Sequence, residues 1–245
     1  DPDITTIGIM NLAPERGRFE APFFLCESLL RVDLKGCTKL TQLDKHVFGG
    51  CFSLTSVVLP NSLTVLGNAA FQKCSSLTSV VLPDSLTQLG IVAFEDCTSL
   101  TSVVLPDSLT MLGDAAFGHC TSLTSVVMPN SLSQIGKAAF AECSSLHNSV
   151  VFPDSLTQLG EEAFLECSSL TSVVLPDSLT HLGEAAFGKC TSLTSVVLPD
   201  SATLGHEVFE ECDALMQKAA SAGFASVELY LRDRYKSITL RKLVL

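Results

Sequence analysis

One 23-residue unit is copied along most of this chain. It reads LTSVVLPDSLTQLGIVAFEDCTS from Leu77, LTSVVLPDSLTMLGDAAFGHCTS from Leu100, LTSVVMPNSLSQIGKAAFAECSS from Leu123 and LTSVVLPDSLTHLGEAAFGKCTS from Leu170. The earliest clear copy starts at Leu54, and the series ends near residue 214. A unit this short cannot bury its own apolar side, so copies with leucines at fixed offsets must stack and share a continuous core. The expected body is therefore a solenoid, one rung per copy, and a domain count based on length does not apply.

The residues within one copy assign its parts. In LTSVVLP, Val80 and Leu82 share one face of an extended segment, and Ser79 and Val81 point to the other. Pro83 cannot donate to a ladder and ends the strand, after which Asp84 and Ser85 can turn the backbone with their own side chains. Gly90 is expected to take a positive φ at the next turn. From there Ala93, Phe94 and Cys97 fall at i, i+1 and i+4, which suits a short helical segment with one inward face. Leu77, Val80, Leu82, Leu86, Leu89, Ala93, Phe94 and Cys97 are thus the expected core of the rung. The fold class is an α/β repeat solenoid, with a parallel sheet of about eight short strands on one face and short helical segments on the other.

Nine Phe-x-x-Cys pairs run from Phe23/Cys26 to Phe209/Cys212. Leu29, Val32 and Leu34 match Leu-x-x-Val-x-Leu, so the array spans residues 23–212. Residues 1–22 fall outside the period and read as an N-terminal cap, with a strand between Ile4 and Met10. Residues 213–245 read as a C-terminal cap: a short helix with Asp213 as N-cap and Gly223 past its end, then strands from Val227 to Arg232 and in SITLRKLVL. LHNSVVF from Leu146 has one residue too many, which predicts a bulge. The chain starts at Asp1 with no leader pattern, so it reads as a processed or excerpted sequence.

Net charge is −11, and residues 51–212 carry sixteen acidic against three basic side chains. Such a body lacks the basic patches that neutralise phosphate, which excludes nucleic acid as the expected partner. Apolar content is 47%, but no run approaches the roughly 18 apolar residues of a membrane span. The basic residues Arg232, Arg234, Lys236, Arg241 and Lys242 lie beside this acidic body and are expected to dock on it.

Chemistry finds few handholds. Nine of the ten cysteines occupy one inward position per rung, and the five histidines sit at unrelated offsets, so zinc spacing is absent and free structural thiols are expected. Cys37, in the inserted region of its rung, is the candidate for reactivity. The turn column Asp84, Asp107, Asp154, Asp177 and Asp200 offers one carboxylate per rung, too few for calcium. Phosphate loops, HExxH and Gly-x-Ser-x-Gly are missing from the sequence. No cofactor, metal site or catalytic residue is therefore expected, and the chain reads as a non-enzyme.

The unit SLTSVVLPDSLTQLGxxAFxxC resembles the BspA-like leucine-rich repeat family, whose copies pair a Leu-x-x-Leu/Val-x-Leu-Pro strand with an Ala-Phe-x-x-Cys convex segment. The resemblance implies a leucine-rich-repeat solenoid used for protein binding, in that family often in adhesion at cell surfaces. Maintained free thiols would instead fit an organelle or the cytoplasm.

The outward strand positions form the candidate interface. Val58, Val81, Val104, Val127, Val151, Val174 and Val197 make an apolar column beside Ser79, Ser102 and Ser125, with no charge between them. Such a stripe marks a contact surface, although β-branched residues also favour a strand for its own sake. The expected function is an interaction scaffold that docks a protein partner on this Val/Ser face. The rival is an accessory subunit of a larger assembly, held by the atypical ends.

Overall fold

The computed structural model describes residues 6–8, 18–19 and 23–234. Short strands stack in parallel, one per rung: Thr6–Gly8, Arg31–Asp33, Ser56–Val58, Ser79–Val81, Ser102–Val104, Ser125–Val127, Asn148–Val151, Leu170–Val174 and Ser195–Val197. The register is column on column, with Ser79 on Ser56, Val80 on Val57 and Val81 on Val58. Ladder pairing runs in three stretches, broken between Ser79–Val81 and Ser102–Val104 and again before Asn148. The second break falls at the extra residue, and the register shifts between Asn148 and Ser149 as a bulge requires.

Every core residue expected for the unit is buried, from Leu77, Leu86, Ala93, Phe94 and Cys97 with no exposure to Val80 at 7%. Nine phenylalanine rings from Phe23 to Phe209 form an unbroken stack, with neighbouring centroids 5.2–5.9 Å apart and planes within 19° of parallel. Each buried phenylalanine contributes about 1.5–3 kcal/mol, so this one column carries much of the array.

Several expectations are corrected. A second ladder of two-residue strands, from Arg18–Phe19 through Gln88–Leu89 to Thr203–Leu204, runs along the side of the stack. The Ala-Phe-x-x-Cys segments are not helical. They are successive turns containing left-handed residues, Val92 at φ 50° and Asp96 at φ 59° in one rung and Ala115 and His119 in the next. This alternation aims the amides of Val92, Phe94 and Asp96 along the stack at the carbonyls of Asp114, Ala116 and Gly118, at 2.8–3.0 Å. The Phe turns are thus a third ladder.

Gly90 does not have a positive φ. A Cβ placed there would come 2.5 Å from the Asn68 nitrogen of the rung below, so glycine is needed for close backbone approach. Ser85 does not close its own turn either, since its hydroxyl donates to the Leu63 carbonyl one rung earlier at 2.6 Å.

The ends differ as well. Thr6–Gly8 pairs with Arg31–Asp33, and Arg18–Phe19 with Gln42–Leu43, so the described strands of this region extend both ladders by one step. There are accordingly nine face strands among the described residues, against about eight expected. At the other end the helix Asp213–Ser221 forms, with Cys212 rather than Asp213 as N-cap. Gly223 follows its end at φ 83°. Residues 227–234 are helical where a strand was expected, because Val227, Tyr230 and Leu231 are the buried positions and their spacing is i, i+3, i+4. SITLRKLVL lies outside the described residues, as do Lys236, Arg241 and Lys242.

Candidate partner-binding face

Strand alternation builds the face. Val80, Val103 and Val173 turn into the core, so their neighbours on either side turn outward. Val81 is 81% exposed and Val58 44%, with Val104, Val127, Val151 and Val174 between them, while Val197 in the last rung is half-buried. Ser79, Ser102 and Ser125 are exposed beside them, and among the described residues their hydroxyls have no partner. Where Asp84, Asp107 and Asn130 border the valines, a shallow depression of about 650 Å³ opens over three rungs.

The threonine column next to the serines is engaged. Thr55, Thr101 and Thr124 donate to the carbonyl of the rung before at 3.0–3.3 Å. Across the face this leaves a row of occupied hydroxyls, a row of available ones, a row of exposed isopropyl groups and a row of carboxylates. The apolar row holds no charged side chain from Val58 to Val197. It ends below in Asp33, and the serine row ends in Arg31, both set by register with Val58 and Ser56. Neither residue was singled out from sequence, although the alignment of Val32 and Leu34 with the unit already places them in these columns.

The Phe-turn side carries most of the charged pairs, while Phe24, Leu25, Ile91 and Met111 are exposed away from the valine column. Rung-to-rung pairs such as Lys137–Glu161 and Lys189–Glu166, both at 2.8 Å, lie on the Phe-turn side. Glu184, His206 and Glu207 bring their ligand atoms within 4.8 Å of one another there, a grouping that different repeat offsets hid from the sequence. All three are exposed. The turn aspartates stay one per rung. None of the ten cysteines is in a disulfide. Cys37 proves to be buried, and burial together with Asp33 pushes its thiol pKa up, which disfavours the reactive thiolate. Of the basic C-terminal residues, Arg232 donates to the Ala202 carbonyl and Arg234 to the Tyr230 hydroxyl.

The repeat geometry matches known proteins. The pattern of the BspA type leucine rich repeat region fits residues 20–124 and 110–231, in six copies. A leucine rich repeat protein of T. pallidum is similar in structure at 31% identity, over 76% of this chain and 78% of that one, with a TM-score of 0.55. A leucine-rich repeat protein from Bacteroides ovatus is 26% identical over 86% of this chain and 69% of its own, with a TM-score of 0.50. A leucine rich cell surface protein from Faecalibacterium prausnitzii is 27% identical over 78% of this chain and 60% of its own, at 0.52. No curated protein sequence matches the chain. With the repeat pattern covering most of its length, the chain belongs to the BspA-type leucine-rich repeat family.

Proposed function

We propose that the protein is a non-enzymatic interaction scaffold that docks a partner protein on its Val/Ser strand face. One observation carries this reading: a charge-free column of seven valines, six of them exposed, beside serine hydroxyls that have no partner among the described residues. Contiguous exposed apolar surface of this kind is rare on a chain that has no use for it. The surrounding carboxylates set orientation more than strength. Substituting Val104→Lys together with Val127→Lys puts two charges in the middle of the column without touching the core, so the array keeps its melting temperature and loses the partner. Retained partner binding in the folded variant would sink the strand-face reading.

A second reading concerns place. The similar Faecalibacterium prausnitzii structure is that of a cell surface protein, and a stack of identical rungs suits adhesion there. Labelling intact cells with a membrane-impermeant reagent tests it, since a protein shielded from the reagent contradicts surface display. The rival role as a subunit gripped by its ends is tested by removing residues 235–245. Cutting at residue 223 would instead remove the buried Val227, Tyr230 and Leu231 and uncover the apolar surface they pack on.

A further inference from the structure

Each Phe turn hands its amides forward to the next rung. In the penultimate one, Ala185, Phe187 and Lys189 donate to the carbonyls of His206, Val208 and Glu210 at 2.9, 2.9 and 2.7 Å. The same positions in the last turn are Glu207, Phe209 and Glu211. Among the described residues nothing accepts from their N–H groups. Left-handed φ values of 56° at Glu207 and 52° at Glu211 preserve the geometry that aims these amides along the stack in every earlier rung.

These groups border a cleft of about 470 Å³ whose other wall is Met216, Ala219, Phe224 and Val227 of the C-terminal helices. Glu207, Glu210, Glu211 and Glu228 line it with no Lys or Arg among the described lining residues, and the His206 ring lies 3.1 Å from Glu207 Oε1. Glu207 chiefly, with desolvation and Glu211 adding to it and His206 opposing, pushes the Glu210 carboxyl above its ordinary pKa.

What fits is narrow. The helix Asp213–Ser221 already sits on the end of the stack, with Leu215 and Ala219 buried, the Ala214 amide on the Thr191 carbonyl and Lys218 Nζ on the Thr194 carbonyl. Arg232 covers the side ladder at Ala202. A second copy cannot stack end to end across these helices. Among the described residues the Phe-turn edge is left open by these contacts, and an unpaired edge of this sort accepts a single extended segment. We propose that the cleft captures an extended, lysine- or arginine-bearing segment of a partner protein as one further rung. Its carbonyls take the amides of Glu207, Phe209 and Glu211, and its cations face the four glutamates.

The test titrates the full ¹⁵N-labelled chain with an acetylated, amidated hexapeptide alternating lysine and valine. The amide signals of Glu207, Phe209 and Glu211 should shift downfield and exchange about tenfold more slowly with deuterated water, while those of Ala185, Phe187 and Lys189 stay put. Replacing Glu207, Glu210 and Glu211 by Gln together should weaken binding about tenfold, as the loss of three exposed ion pairs implies. The Val104→Lys/Val127→Lys variant should bind this peptide unchanged, which separates the cleft from the strand face. Three results would each overturn the proposal: equal binding of a glutamate–valine peptide, shifts confined to the strands at Ser102–Val104, or binding that appears only after residues 235–245 are removed. The last would make the chain's own segment the occupant.

Discussion

Each thiol of the Phe-x-x-Cys pairs from Cys51 to Cys212 donates to the carbonyl of the phenylalanine one rung earlier, at 3.0–3.2 Å. Sequence reasoning reads a small buried hydrophobe at this position, and the structure adds a directional bond that holds neighbouring rungs in register. Cys120→Ala should therefore cost about 1–2 kcal/mol in chemical denaturation, roughly what a lost hydrogen bond implies. Phe117→Ala, in the middle of the ring stack, should cost about 3–5 kcal/mol. Burial pushes the Cys51 and Cys120 thiols up to about 12 from an ordinary 9.0. The folded chain thus holds protons that the unfolded chain releases above pH 9. Their stabilisation is complete below that pH and lost as pH rises towards 12, so the melting temperature should hold from pH 7 to 8.5 and fall steadily by pH 10.5. A flat profile to pH 11 would contradict the buried thiol column.

The strand of each copy was legible because alternation has a period of two and proline marks its end. The Phe turn was not, because Ala93, Phe94 and Cys97 at i, i+1 and i+4 satisfy a helix and a chain of left- and right-handed turns equally well. Only φ separates them. Far-UV circular dichroism decides between the two: the two helices at 213–221 and 227–234 should give a weak helical signal, whereas a helix in every rung would give a strong double minimum. The glycine column makes the same point about what a pattern can hide. A Cβ at Gly160 would lie 2.6 Å from the Gly136 carbonyl carbon and the Lys137 nitrogen. Gly160→Ala should consequently destabilise by at least the 1–3 kcal/mol typical of overpacking, and wild-type stability in a urea titration would refute the close approach. Side strands such as Gln88–Leu89 were missed because two residues are too few to show a period.

For the molecule as a whole, the period carries most of the information. Stacking, core and the outward valines and serines all follow from one copy repeated in register. What the period could not supply lies at its edges. The first rung's strands are separated by a long insertion that disguises them, and Val227, Tyr230 and Leu231 belong to a helix although their neighbours alternate. Arg31 and Asp33 terminate the candidate columns, and the last Phe turn ends in amides without acceptors among the described residues. In the proposed reading a repetitive interior and particular ends divide the labour: the valine column offers area, while the ends and the acidic turn side limit which partner fits. That division rests on the strand face being the contact surface. The most direct measurement is photo-crosslinking from a photoreactive residue placed at Val104, compared with one at Glu95 on the Phe-turn side, in the presence of the partner. The account predicts crosslinks from position 104 and none from position 95, and crosslinks from position 95 alone would contradict it.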